Sequence, residues 1–389
     1  MDSKINKNVL IICKADPSSN PRPRRAIELC LDLGLTLSVF SFPPKDHNSR
    51  ITYFHMKLPG NGVVEKIMRR LYGIAASFLP LKQGQFVAEA MLYGFYEGFQ
   101  QLRENQIFDI LIVENIELLP MAFLIKNKAK IIFDAREYYS RELEGDIWFD
   151  LVIRRRREQI LKEYLDKCDS VITVSEGLAQ AYEKHYNVKP VVIRSTPNYV
   201  DLQPGKVEIH KFRMVHHGNA HRDRSLEDLI EIVKSLDDRF YLDLYLVGKT
   251  RYINELKTKG NGCSRVRIRE SITYDNLIKV LSEYDIGLIY FPPTTFNLEA
   301  CLPNKFFEFI QARLMLAIGP TPDMSTLVEK YQLGVVAEKF SVESMVSALS
   351  ELTAEKINKA KENSNRAASV LCFEEESKEL TFILESLLR

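Results

Sequence analysis

The sequence predicts an α/β protein built from two doubly wound parallel-sheet domains that face a cleft. Three observations lead there. Short Val- and Ile-rich runs alternate with amphipathic segments, the pattern of parallel strands covered by helices on both faces. The alternation stops at a polar stretch, "NYVDLQPGKVEIHK" (198–211), and then restarts. The chain has 389 residues, more than one typical core holds, so two domains of roughly 150–200 residues are expected.

The elements follow in order. In the first half the strands are "NVLIIC" (8–13), "TLSVFSF" (36–42), "DILIVE" (109–114), "KIIFDA" (130–135), "SVITVS" (170–175) and "PVVIRS" (190–195), each bounded by a turn or a polar cluster. Helical patterns lie between them, as in "PRRAIELCLDLG" (23–34) and "LAQAYEKHY" (178–186). After the linker come "RMVHHGN" (213–219), "YLDLYLVG" (241–248), "IGLIYF" (286–291) and "LMLAIG" (314–319). Between the first two, Leu226, Leu229, Ile230, Val233 and Leu236 line one helix face, with Ser225 and Asp228 placed to cap its start. The expected division is 1–197, a linker at 198–211, and 212–371, with a terminal helix at about 372–389 returning to the first domain. Open α/β sheets bind ligands at the carboxyl ends of their strands, so the cleft is the expected site.

Composition narrows the function. The chain is 46% hydrophobic and 27% charged, hence globular. Its net charge of +1 lacks the basic excess of a nucleic-acid binder. Six cysteines without metal-like spacing suit a reducing compartment, and the apolar run before Lys14 is too short for a signal peptide. No run of about 18 apolar residues is available to span a membrane. The expected setting is cytoplasmic.

The stretch "CLPNKFFEF" (301–309) raises a chemical question. Phe306, Phe307, Phe309 and Ile310 call for burial, whereas Lys305 and Glu308 need polar company. The segment follows "IGLIYF" through the loop "PPTTFNLEACLPN" and opens a helix, with Asn304 as the expected N-cap. Free backbone N–H groups and the helix dipole make such a start an anion site. Lys305 is unfavourable there without an anion, and Glu308, one turn in, can accept hydrogen bonds from hydroxyls. A phosphate flanked by a ribose fits; so does a capped core helix whose Lys and Glu face solvent.

"LPNKFFEF", "YDIGLIYF" and "HHGNAHRDRSLEDLI" resemble the nucleotide-sugar domain of GT-B glycosyltransferases, in particular retaining family 4. "SSNPRPRRAIELCLDLG", "IIFDAREYY" and "CDSVITVSEGLAQAY" look like the Rossmann-like acceptor-side domain of that family, in the right order. The resemblance implies a retaining hexosyl- or N-acetylhexosaminyl-transferase, independent of metal and of other cofactors. It would move sugar from a nucleoside diphosphate donor to a glycan or a lipid-linked saccharide. Glu308 would grip the ribose hydroxyls. Cys301, Leu302 and Asn304 would lie in the turn facing the donor phosphates, with Gly218, Asn219 and Asn297 also on the donor side. Arg224 would hold the diphosphate, with Arg222 and Lys305 as further candidates. Asn20 and Arg22 would lie on the acceptor side, and Arg136 and Glu137 beside the chemistry. Positive groups matter because the leaving group is a diphosphate whose charge grows as the bond breaks.

The sequence departs from the family at several positions. Ala300 stands where a first glutamate is usual, Arg136 stands where many relatives carry a histidine, and Arg313 and Met315 replace a small residue and a proline. An arginine does not shuttle protons, but it binds phosphate or orients an acceptor. Glu137 suits an acceptor hydroxyl or a partnership with Arg136. His216, His217 and His221 cluster without metal-site spacing.

A separate signal lies at 65–82, "EKIMRRLYGIAASFLPLK". It carries Lys66, Arg69, Arg70 and Lys82, no acid after Glu65, and an apolar face of Ile67, Leu71, Ile74, Phe78 and Leu79. This is the make-up of an interfacial helix on an anionic leaflet, or of an insertion packed on its own domain. "RRRRE" (154–158) adds charge, and a peripheral seat on the inner face of the cell membrane is the corresponding expectation. Two other functions stay open beside transfer: a nucleotide-sugar 2-epimerase of the same architecture, and a non-catalytic nucleotide-sugar-binding protein.

Overall fold

The computed structural model describes residues 7–57, 60–78, 94–105 and 107–389. Positions 79–82 of the basic, apolar segment, including Leu79 and Lys82, lie outside the described residues. The chain divides into two compact units, Met1–Ile193 with Ser377–Arg389, and Arg194–Glu376. The stretch expected to be a linker, 198–211, clusters with the second unit and places Val207 in its core.

The first unit is built on a seven-stranded parallel sheet: β1 (Asn8–Ile12), β2 (Thr36–Ser41), β3 (Ile51–His55), β4 (Ile110–Val113), β5 (Lys130–Asp134), β6 (Ser170–Thr173) and β7 (Val191–Val192). The strand order is β3-β2-β1-β4-β5-β6-β7, the order of a doubly wound sheet with its topological switch between β1 and β4. Every residue of β4, "ILIV", is buried, as expected for a strand covered on both faces. The terminal helix Phe373–Leu388 packs Leu380, Ile383 and Leu384 onto the same core as Val9, Ile11, Leu37 and Ile110.

The second unit holds six parallel strands: β8 (Phe212–Ala220), β9 (Phe240–Gly248), β10 (Val266–Arg269), β11 (Ile286–Ile289), β12 (Met315–Ile318) and β13 (Gly334–Val336), ordered β10-β9-β8-β11-β12-β13. The helix Asn304–Gln311 lies against this sheet with Phe306, Phe307, Phe309 and Ile310 all fully buried. Gly287 of β11 makes the close approach possible. A Cβ at that position would meet the Phe309 ring at 2.3 Å.

Two caps differ from expectation. Pro303, not Asn304, is the N-cap: its backbone is extended and Asn304 is already helical. Proline has no side-chain acceptor to offer, so no side chain caps this helix. Ser225 precedes the helix Leu226–Ser235 but in the left-handed region (φ 45°), and its hydroxyl caps nothing.

Arg313 accounts for itself structurally. It follows the helix Asn304–Gln311 in the left-handed region (φ 61°) and is fully buried. Its guanidinium donates to Asn365 Oδ1 (2.7 Å), Gln311 O (2.7 Å) and Val200 O (2.6 Å). It thus ties the helix end to the chain at 200 and to the helix Ala354–Ala368.

Candidate active site

In the second unit, the ends of β8 and β11 and the start of the helix Asn304–Gln311 converge. Lys305 is 5% exposed, and its Nζ donates to His216 Nε2 at 3.2 Å. His216 is itself fully buried and gives its Nδ1 proton to Leu288 O (2.8 Å), which leaves Nε2 as an acceptor. The tautomer follows from the carbonyl partner. The Lys305 ammonium lies 4.8 Å from the centre of the Phe291 ring, and the Arg224 guanidinium 5.2 Å from the same ring. Two cationic side chains therefore share one aromatic platform.

Glu308, also 5% exposed, has Oε2 3.2 Å from His217 Nε2, a close approach without hydrogen-bond alignment, since that nitrogen has no hydrogen-bond partner. Burial, and next the charge of Arg224, push the Lys305 amine well below its usual 10.5, with Glu308 and Cys301 opposing. Burial and then Lys305 push His216 well below 6.5. The site is a buried basic cluster with Glu308 beside it, turned to His217.

Gly218 borders it. Its φ is +122°, a conformation that side chains rarely adopt, and a Cβ there would come 3.1 Å from Lys305 Nζ. Asn219 is exposed, while Cys301, Asn304 and Asn297 are half-buried along the loop and helix start. Leu302 belongs to the apolar core. Arg222 points elsewhere. It is largely exposed, pairs with Glu255 and lies 4.6 Å over the Tyr252 ring. The three histidines meet three different partners, Lys305, Glu308 and Asp223, and among the described residues no group of three His, Cys, Asp or Glu side chains could hold a metal ion.

The first unit carries a second charged cluster at its strand ends. Asn20 caps the helix Pro21–Asp32, accepting from Arg22 N. Arg22 clamps Asp134 at the end of β5 through two bonds (2.5 and 2.8 Å) and reaches Ile193 O (3.1 Å). Arg136 Nη1 lies 3.7 Å from Glu114 Oε2, and Glu114 is 1% exposed and has no hydrogen bond to either oxygen. Burial, then Asp134, raises the Glu114 carboxyl to about 8. Glu137 is half-buried and its carbonyl accepts from Tyr182 (2.7 Å). Sequence reading missed Phe291, Glu114 and the supporting role of His216. The signal for Phe291 is an aromatic at the carboxyl end of a strand, next to the loop that leads to Lys305.

No model of a protein family matches the sequence, and no curated protein matches it significantly. Solved structures match along nearly the whole chain. The sucrose-phosphate synthase of Thermosynechococcus elongatus superposes with a TM-score of 0.71 at 12% identity, covering 98% of this chain and 99% of that one. S. aureus TarM, solved with fondaparinux, α-GlcNAc-glycerol and UDP, gives 0.70 at 10% identity, with coverage of 98% and 100%. The chain has the GT-B fold. An α,α-trehalose-phosphate synthase (UDP-forming) from Burkholderia vietnamiensis agrees, at 0.69 and 10% identity over 98% and 100%. In GT-B terms, the Lys305 cluster lies in the C-terminal of the two α/β units and the Arg22–Asp134 clamp in the N-terminal one.

Proposed function

We propose that this GT-B chain is a retaining glycosyltransferase that moves a hexosyl or N-acetylhexosaminyl unit from a nucleoside diphosphate sugar to a hydroxyl of a glycan or lipid-linked saccharide. One observation carries the reading: Lys305 and Arg224 meet over Phe291, beside an uncapped helix N-terminus and a glycine that leaves them room, with no carboxylate among the described residues ion-paired to Lys305. A diphosphate supplies the missing charge. TarM was solved with UDP, and the trehalose-phosphate synthase is UDP-forming, which supports the donor class.

In this reading Lys305 and Arg224 bind the donor diphosphate and hold its charge as the glycosidic bond breaks, which makes them catalytic residues. The amides of Asn304 and Lys305 and the loop Cys301–Leu302, with Asn297, Gly218 and Asn219, surround the donor, and Glu308 turns from His217 to the ribose hydroxyls. No covalent nucleophile is invoked, since the departing phosphate can deprotonate a hydroxyl arriving on the same face. No metal ion or other cofactor is assigned. Arg136 and Glu137, with Asn20 behind Arg22, serve the acceptor side. Arg222, tied to Glu255, is the weakest of the assignments.

Arg224→Ala separates this role from plain binding. Turnover should fall more than donor affinity, because the charge it faces grows in the transition state. Equal losses mean ground-state binding only, and no loss in either removes Arg224 from the site.

We also read the helix Val63–Phe78 as a seat on an anionic membrane surface. Ile67, Met68, Leu71, Ile74 and Phe78 are exposed, and Lys66, Arg69 and Arg70 accompany them. Among the described residues no helix is long and apolar enough to cross a membrane. The protein should float with anionic vesicles at low salt and leave them at high salt; indifference to vesicles at low salt contradicts the reading.

A further inference from the structure

We infer that His217 is a specificity-determining residue of the donor site: with Glu308 it selects a ribonucleotide, holding one ribose hydroxyl between an imidazole N–H and a carboxylate. This deepens the nucleoside diphosphate reading above and rests on it. Both residues belong to the second unit, and both side chains are largely buried. His217 Nε2 lies 3.2 Å from Glu308 Oε2. The nitrogen is shielded from solvent, yet it has no hydrogen-bond partner within the protein. Two polar atoms thus face each other at close range without satisfying each other.

The proton on His217 follows from its surroundings. His216 gives its Nδ1 proton to Leu288 O, which makes its Nε2 an acceptor. His217 has no such carbonyl partner among the described residues, so nothing draws the proton away from Nε2. A lone pair there would oppose the Glu308 carboxylate, whereas an N–H is attracted to it. Nε2 is therefore a donor and Oε2 an acceptor. A hydroxyl answers both at once: its oxygen accepts from the imidazole and its proton goes to the carboxylate. A carbonyl only accepts, an ammonium only donates, and an anion is repelled by Glu308. As Glu308 turns to the ribose, the hydroxyl parts the two side chains and bonds to each.

The pair is held in place by its neighbours. The His217 ring stands edge-on to Phe309, with ring centres 5.4 Å apart and planes at 86°, an arrangement that aromatic pairs prefer. Phe309 is fully buried and lies against Gly287. His217 directly precedes Gly218, which borders Lys305 Nζ. Glu308 follows Lys305 by three residues on the same helix, a spacing that sets Cβ atoms about 5–6 Å apart on one face. A diphosphate held by Lys305 and Arg224 therefore brings the hydroxyls of its own ribose to His217 and Glu308.

The probes are ADP, CDP, GDP and UDP with their 2′-deoxy and 3′-deoxy forms, titrated calorimetrically into the wild type, His217→Phe and His217→Gln. A diphosphate without its hexose tests the ribose alone. The ribonucleotide that binds best should bind the wild type at least tenfold more tightly than one of its deoxy forms. His217→Phe keeps a flat ring against Phe309 and removes the donor. It should cut that ratio below threefold and leave the affinity for the deoxy form within twofold of the wild type. His217→Leu repeats the measurement should the phenylalanine variant fail to fold. His217→Gln returns an N–H near the place of Nε2 and should restore most of the ratio. An unchanged ratio in His217→Phe overturns the proposal, and so does an equal loss of ribo and deoxy binding, which makes His217 a structural residue. A wild type that binds ribo and deoxy forms equally overturns this proposal and leaves the donor site standing. A wild type that binds no nucleoside diphosphate removes the donor site and this proposal together.

Discussion

Lys305→Met should make the free protein more stable at neutral pH, by about 1–2 kcal/mol, and weaken its hold on a nucleoside diphosphate roughly ten- to hundredfold. Both effects have one cause. The amine is buried beside a neutral imidazole and near Arg224, with Glu308 turned to His217. Its proton is disfavoured in the folded protein and favoured in the unfolded chain. Between the folded value and the usual 10.5 the unfolded state binds more protons, so this residue makes stability rise with pH across that window. The variant should lose that slope. A charge-assisted bond to phosphate contributes about 1.5–3 kcal/mol, which sets the affinity loss. Since the anion favours the protonated amine, wild-type affinity should also fall as pH rises, and the variant should show no such dependence. Denaturant titrations at several pH values, with calorimetric titration of a nucleoside diphosphate, measure both. A variant less stable than the wild type and equal to it in affinity makes Lys305 an ordinary structural residue.

Arg313→Ala should lower stability by about 3–5 kcal/mol, a large share of what holds a domain folded. The guanidinium satisfies two backbone carbonyls and the Asn365 amide oxygen in a place that water reaches poorly. Alanine leaves these acceptors buried without donors, at about 1–3 kcal/mol each before relaxation. It also keeps the left-handed backbone of the wild type (φ 61°), so no strain is relieved. Arg313→Gly relieves the backbone and should recover only a minor part. If equilibrium unfolding of the alanine variant shifts by less than about 1 kcal/mol, the stitching role assigned to Arg313 is wrong.

Of the thirteen strands among the described residues, ten were legible in the sequence, and the three that were not are β3, β10 and β13, each at an edge of its sheet. The reason is physical. A central strand such as "ILIV" is buried on both faces and reads as one apolar run, whereas "ITYFH" exposes Thr52 and His55 and "VRIR" exposes both arginines. "GVV" is too short to show a period at all. The site was partly legible because Lys305 and Glu308 are anomalous next to three buried phenylalanines. Phe291 and His216 were not, since a ring just past one strand and a histidine in the middle of another are unremarkable until the fold brings Lys305 to them. Asn304 misled as a cap because Asn commonly takes that position, and here Pro303 occupies it. The exposed apolar face of Val63–Phe78 was visible from its spacing.

The most direct test of the donor site is a panel of nucleoside diphosphate sugars, nucleoside diphosphates and monophosphates, scored by thermal stabilisation of the wild type and of Lys305→Met. At a ligand concentration one hundred times its dissociation constant, the stabilisation is about 2.7 kcal/mol. At least one diphosphate should stabilise the wild type, its monophosphate should do so far less, and the variant should lose most of the response. If no diphosphate or sugar nucleotide stabilises the wild type, or if Lys305→Met responds as fully as the wild type, the site at Gly218, Arg224 and Lys305 does not bind a nucleotide-sugar donor.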